Sequence, residues 1–201
     1  MVIRGTHAGV AVLALCLGLG SCAAMAQAQE VEQLRYETLE GEDVHGQSIV
    51  VPASRAEVWR AFTTSDGVMA WAAPFARVES EVGGGWESSY DPAAQVGDPD
   101  NIRIRFLAWL PERMLAMQTV DAPPGFLHPD LLPELSSVVL FDAVDGDRTR
   151  VTLYGVGYRD APDHQELLET FRQGNAWTLG MLHRRFVEGP VDWSTLLGGG
   201  R

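Results

Sequence analysis

The sequence predicts an α+β protein in which a curved antiparallel sheet of about six or seven strands wraps a long C-terminal helix, with two short helices after the first strand. Three observations carry this reading. Ile102, Ile104, Phe106 and Ala108 alternate with Arg103, Arg105, Leu107 and Trp109, the period of a half-buried strand. Gly83-Gly84-Gly85 and Asp145-Gly146-Asp147 are turn signals that join extended runs into hairpins. Leu167, Phe171, Thr178, Met181, Leu182 and Phe186 form a stripe at helical spacing that ends at Gly189-Pro190. Strands in hairpins followed by one long helix pack as a sheet covered by that helix.

Taken in order, residues 29–46 are polar and acidic and read as a tether or a loosely attached first strand. Ser48-Ile49-Val50-Val51 is a short strand that stops at Pro52. Ser54-Arg55-Ala56-Glu57 has the pattern of a capping box and opens a helix that turns Val58, Trp59, Ala61 and Phe62 to a core. A second helical turn runs from Ser65 through Trp71 and ends before Pro74. Residues 75–82 and 86–90 form a hairpin about the three glycines, and residues 91–101 are a polar loop. Residues 113–120 follow as a strand after the turn Leu110-Pro111-Glu112. Residues 121–133 hold four prolines together with Phe126, Leu127, Leu131 and Leu132, so the loop reads either as an apolar lid or as packing on the sheet edge. Residues 136–144 and 149–158 are the last strands. Pro162 suits the first turn of the terminal helix, and Asp163 and Glu166 complement its dipole. Gly174 and Gly180 inside this helix point to close packing or a nearby ligand.

The amino terminus reads as an export signal. Arg4 supplies a positive start, residues 8–19 an apolar core too short to span a bilayer, and small residues follow. Ala24-Met25-Ala26 and Ala26-Gln27-Ala28 fit an ordinary cleavage site, giving a signal over residues 1–28. Leu19-Gly20-Ser21-Cys22 instead resembles a bacterial lipobox, which ends the signal at residue 21 and places a lipid anchor on Cys22. Both readings put the protein in the periplasm or outside the cell, with a polar segment at 29–46, a folded domain at 47–193 and a flexible tail at 194–201.

The 201 residues carry a formal charge of −12, which argues against a nucleic-acid partner. All 15 basic side chains are arginine, so Schiff-base chemistry and a lysine phosphate clamp are both excluded. Cys16 and Cys22, the 2 cysteines, both fall in the export segment and leave no disulfide framework for the folded part.

Val50-Val51-Pro52-Ala53 followed by Glu57-Val58-Trp59-Arg60-Ala61-Phe62 resembles the first strand and helix of the START-like (helix-grip) superfamily. This group contains the birch pollen allergen, polyketide cyclases and relatives of the activator of the ninety-kilodalton heat-shock chaperone. Trp71 with Pro74 is similar to its second helix end, Gly83-Gly84-Gly85-Trp86 to its hairpin, and Pro111-Glu112-Arg113 to its next turn. Gly174-Asn175-Ala176-Trp177 with Leu179, Leu182 and Phe186 resembles its terminal helix. The resemblance runs from about Ile49 to Trp193. It implies a cavity between sheet and helix. Family members are often cytoplasmic, whereas this chain carries an export signal.

Chemistry-bearing motifs are scarce. There is no Gly-x-Ser-x-Gly elbow, and no pair among His45, His128, His164 and His183 stands at metal-ligand spacing, so neither a nucleophile nor a metal site is expected. No cofactor is expected either. Gly155-Val156-Gly157 lies in a strand pattern and reads as a bulge. What remains is a set of aromatic and apolar side chains in which core packing competes with ligand binding. The candidates to line a cavity are Trp71, Phe75, Trp86, Phe106, Met117, Phe126, Phe141, Tyr154, Phe171, Asn175, Thr178 and Leu182. The expected function is non-catalytic binding of an apolar small molecule, a lipid or an aromatic. One alternative is a cyclase or dehydratase in which Tyr154, Asn175 and His183 converge as acid and base. Another is a protein-interaction domain, whose chaperone-activating version export disfavours.

Overall fold

Eight antiparallel strands form one curved, unclosed sheet in the computed structural model, which describes residues 30–39 and 43–198. Residues 1–28, where an export signal is expected, lie outside the described residues together with Cys16 and Cys22. The strands are β1 (Glu32–Glu37), β2 (Asp43–Val51), β3 (Phe75–Glu79), β4 (Gly85–Ser89), β5 (Ile102–Leu110), β6 (Met114–Asp121), β7 (Ser136–Ala143) and β8 (Thr149–Val156), ordered β1-β2-β8-β7-β6-β5-β4-β3. Two short helices, α1 (Arg55–Thr63) and α2 (Ser65–Met69), carry the chain from β2 across to β3 at the far edge. The 27-residue helix α3 (Pro162–Glu188) lies in the concave face, and α4 (Trp193–Gly198) follows it. This is the α+β helix-grip architecture that the sequence predicts, with one strand more than expected.

The additional strand is β1, whose sequence EQLRYE gives no buried alternation because every position in it is exposed or half-exposed. It is held by six paired positions on β2 and by the two-pronged contact of Arg35 with Asp43, at 3.0 and 2.6 Å. Beyond α3 the described chain continues into α4. Asp192 accepts from the backbone N–H groups of Ser194 and Thr195, and the Trp193 indole donates to the Met69 carbonyl at 2.7 Å, so α4 is fastened to the end of α2.

Helix α1 shows why the chain folds locally as it does. Ser54 accepts from the Glu57 N–H while the Glu57 carboxylate accepts from the Ser54 N–H at 3.0 Å, closing the capping box. At the other end, the last carbonyls have no partner within the helix and would be orphaned on a buried surface. Those of Ala61, Phe62 and Thr63 are each met by a donor from outside the helix, the Thr63 carbonyl by the Ser80 hydroxyl. Trp59 and Arg60, the latter already accepting from the Thr64 N–H, each take a hydroxyl as well. The hydroxyls of Thr63 and Thr64 donate to Trp59 and Arg60 at 2.8 Å, the Trp71 indole to Ala61 at 2.9 Å and the Trp86 indole to Phe62 at 2.7 Å.

The core cluster joins Val58, Ala61 and Phe62 of α1 to Ile49, Val51, Phe106, Leu115, Val139, Phe141 and Val151 of the sheet and to Leu179 and Leu182 of α3. Strand β5 does not keep its alternation to the end. A register shift between Phe106 and Ala108 leaves Leu107 unpaired, so Ala108 is exposed while Trp109 turns inward to stack edge-on against Trp59 at 5.5 Å. The β3–β4 hairpin needs its glycines. Gly83 has a φ of +90°, and a Cβ on Gly85 would sit 1.7 Å from the Ile104 carbonyl oxygen.

Candidate ligand cavity

Helix α3 is buried near its two ends and only partly buried in the middle. Leu167 and Leu168 are buried near the N-terminus, and Leu179, Met181 and Leu182 toward the C-terminus. Between them Phe171, Asn175 and Thr178 are only half-buried, and Thr170 and Gly174 are exposed. Under this middle section lies a cavity of about 320 Å³. Its floor is aromatic and aliphatic, with Phe62, Trp71, Trp86, Ile102, Ile104, Met117 and Leu153, and its polar groups are few, among them Ser88, Thr119, Ser137 and Asn175.

Two tryptophans of the floor are held by the helix cap described above. Their indole N–H groups are engaged with α1, so they turn only carbon to the cavity. Phe62 packs between them, with ring centroids 4.8 Å from Trp71 and 5.9 Å from Trp86.

The rim is formed by Tyr90 after β4, by Thr170 and Gly174 of α3, and by Ala122 and Phe126 of the proline-rich loop. Phe126 packs against Phe171, centroids 6.0 Å apart. The loop is fastened at both sides. The His128 imidazole meets the Glu166 carboxylate of α3 at 2.9 Å, and the Gln118 amide of β6 donates to the Pro133 carbonyl at 2.8 Å. Its second half is the 3-10 helix Pro129–Glu134, with Leu132 buried beneath. Of the two readings weighed from the sequence, packing is seen at Leu132, while Phe126 contributes to the cavity lining.

Of the residues expected to line a cavity, Trp71, Trp86, Met117, Phe126, Phe171, Asn175 and Thr178 are brought together here. Five are not. Phe106, Phe141 and Leu182 are fully buried in the core below the cavity, where close packing consumes their surface. Phe75 begins the edge strand β3, half-buried outside the lining. Tyr154 is on the other face of the sheet, because its neighbours Val151 and Leu153 take the inward positions of β8 and the pleat alternates. It packs there against Tyr36 of β1, at 5.9 Å. His183 is also outside the lining, so Tyr154, Asn175 and His183 do not converge. Burial lowers the pKa of the His183 imidazole.

Sequence reasoning missed Phe62, which read as plain core, and Leu153, which carried no signal beyond its place in a strand. It also expected Gly174 and Gly180 to mark close packing or a ligand. Close packing is ruled out, since a Cβ on either would meet nothing within 4 Å.

A second space of about 390 Å³ adjoins the first and is more polar. It lies between β1, β2 and the outer flank of α3, and shares Leu153, Phe171 and Asn175 with the aromatic cavity. Gln47, buried at 3% exposure, crosses its base and donates to the Arg172 carbonyl at 2.9 Å.

Comparison with known proteins places this geometry in context. The model of the family described as "Activator of Hsp90 ATPase homolog 1-like protein" matches residues 52–186. No curated protein matches the chain. Among solved structures, CalU16 from Micromonospora echinospora is similar with a TM-score of 0.52 at 20% identity, over 85% of this chain and 91% of that one. The Aha1 dimer from Colwellia psychrerythraea gives 0.54 at 16% identity, over 73% and 97%. DynU16, described as a protein of the dynemicin biosynthetic locus, gives 0.53 at 18% identity, over 74% and 49%. At these identities the likeness speaks for the helix-grip fold alone.

Proposed function

The chain belongs to the family of Activator of Hsp90 ATPase homolog 1-like proteins, and from that premise we propose that it binds an apolar small molecule in the cavity under α3. One observation carries the reading. A long helix buried at both ends is only half-buried in the middle, where it borders about 320 Å³ lined mainly by carbon. A space of that size, largely apolar with a few polar groups, has the character of a small-molecule site. Packing a core fully would remove it, because voids of this size forfeit dispersion contacts on every side. The acid–base alternative receives no such support, since its three candidate groups are not assembled.

The export pattern at residues 1–28 supports a place in the periplasm or outside the cell, either free or held by a lipid on Cys22. Such a location separates the protein from a cytoplasmic chaperone. Its role there is to carry or sense its ligand.

Native mass spectrometry of the protein purified gently from the cells that make it tests this. The expected spectrum shows a discrete extra mass that is lost in organic solvent, and the same spectrum reports any lipid on Cys22. A clean ligand-free mass, with no uptake from a panel of lipids and aromatics, would overturn the proposal.

A further inference from the structure

The two adjoining spaces differ in chemistry, and the wall between them is thin. Leu153, Phe171 and Asn175 line both. Phe171 also borders a third, small void of about 20 Å³ beside Tyr158. Free volume therefore surrounds its ring on several sides, and a rotamer change of this one side chain joins the aromatic cavity to the polar space. On the polar side, both nearby cations are already neutralised. Arg35 is bound by Asp43 at 3.0 and 2.6 Å, and Arg172 by Glu169 at 2.8 and 3.0 Å. Apart from the His45 imidazole, what is left to recognise a ligand is uncharged: the amides of Gln33, Gln47, Gln165 and Asn175, and the Tyr158 phenol, whose pKa burial raises far above its ordinary value. An anionic end entering there would lose hydration and meet two arginines that already have carboxylate partners.

Resting on the binding reading above, we propose that the ligand is amphipathic, with an apolar body in the aromatic cavity and an uncharged, hydroxyl- or carbonyl-rich end in the polar space. Phe171 is the partition that the ligand displaces. Asn175, one helical turn further along α3, stands at the junction of its two halves.

The test uses the apolar fluorophore N-phenyl-1-naphthylamine to fill the aromatic cavity of the full chain. Three competitors of equal chain length then displace it below their micelle concentrations: octyl glucoside, octanoate and octyltrimethylammonium. Octyl glucoside is expected to compete at least ~10-fold better than either ion, because only its head is matched by neutral donors and acceptors. Tyr158 and Gln33 lie outside the lining of the aromatic cavity, and Tyr158→Phe and Gln33→Leu are each expected to weaken octyl glucoside by ~5-fold, one hydrogen bond, with the fluorophore unaffected. Equal competition by the three heads, or no effect of either substitution, would overturn the amphipathic assignment while leaving the apolar site standing. Failure of the fluorophore to bind at all would remove the underlying binding reading with it.

Discussion

Gly174 sits in the middle of α3 at the rim of the aromatic cavity, and a Cβ placed on it would meet nothing within 4 Å. Replacing it by leucine separates stability from binding. A mid-helix glycine is worth about 0.8–1.0 kcal/mol less than alanine, and leucine is close to alanine on the same scale. Because no neighbour must move, Gly174→Leu is expected to stabilise by about 1 kcal/mol, a rise of roughly 2–4 °C in Tm for a chain of this length. The four added carbons meanwhile enter a space of about 320 Å³ that the ligand needs. Uptake of N-phenyl-1-naphthylamine should fall at least ~10-fold, equivalent to about 1.4 kcal/mol. Gly174→Ala is the companion variant, expected to gain the same stability and retain binding. Thermal and urea unfolding with a fluorescence titration read both quantities from one preparation. Destabilisation of the leucine variant by more than about 0.5 kcal/mol would mean that the open space is not there, since surface changes stay within that band. A stabilised variant with intact binding would mean that the cavity is not the site.

Trp86→Phe strands the Phe62 carbonyl at the buried end of α1 and should cost about 1–3 kcal/mol for the unmet acceptor, before any loss of packing. Urea denaturation checks it, and a loss below about 0.5 kcal/mol would contradict the capping role. The His183 pKa is lowered by burial, so the unfolded chain takes up this proton before the folded one. Stability should therefore decline as pH falls below the ordinary value of 6.5, and the decline should be shallower in His183→Gln between pH 7 and 5. Identical pH profiles would refute it. Phe126→Ala removes a ring from the cavity lining and should speed fluorophore release in stopped flow, with a stability change of less than about 1 kcal/mol because Leu132, not Phe126, is the buried anchor of the loop.

The parts of this architecture that depend on neighbours in sequence were readable from sequence. The capping box at Ser54 and Glu57 is set by a three-residue spacing, and the limits of α3 by Pro162 and Gly189. The parts that depend on strand pairing were not. Strand β8 is apolar at Val151, Leu153, Tyr154 and Val156, which is compatible with either face; pairing with β2 and β7 decides that Leu153 faces inward and Tyr154 does not. The Leu107 bulge depends likewise on the register of β5 with β6, so Trp109 rather than Ala108 faces the core. Strand β1 stayed ambiguous because its partner, not its own composition, makes it a strand. Cavity lining is harder still to read, for an aromatic residue that borders an empty space and one that is packed all round look alike along the chain.

The tryptophans that close α1 have a consequence for how the molecule reports on itself. Trp71 and Trp86 belong at once to the wall of the cavity and to the last turn of α1. Their emission is a built-in optical signal of occupancy, quite separate from that of Trp177, which is 43% exposed outside the wall. The coupling also runs the other way. A change that frays α1 at Thr63 or Thr64, far in chemistry from any ligand, loosens the mount of both indoles and so alters what the cavity holds.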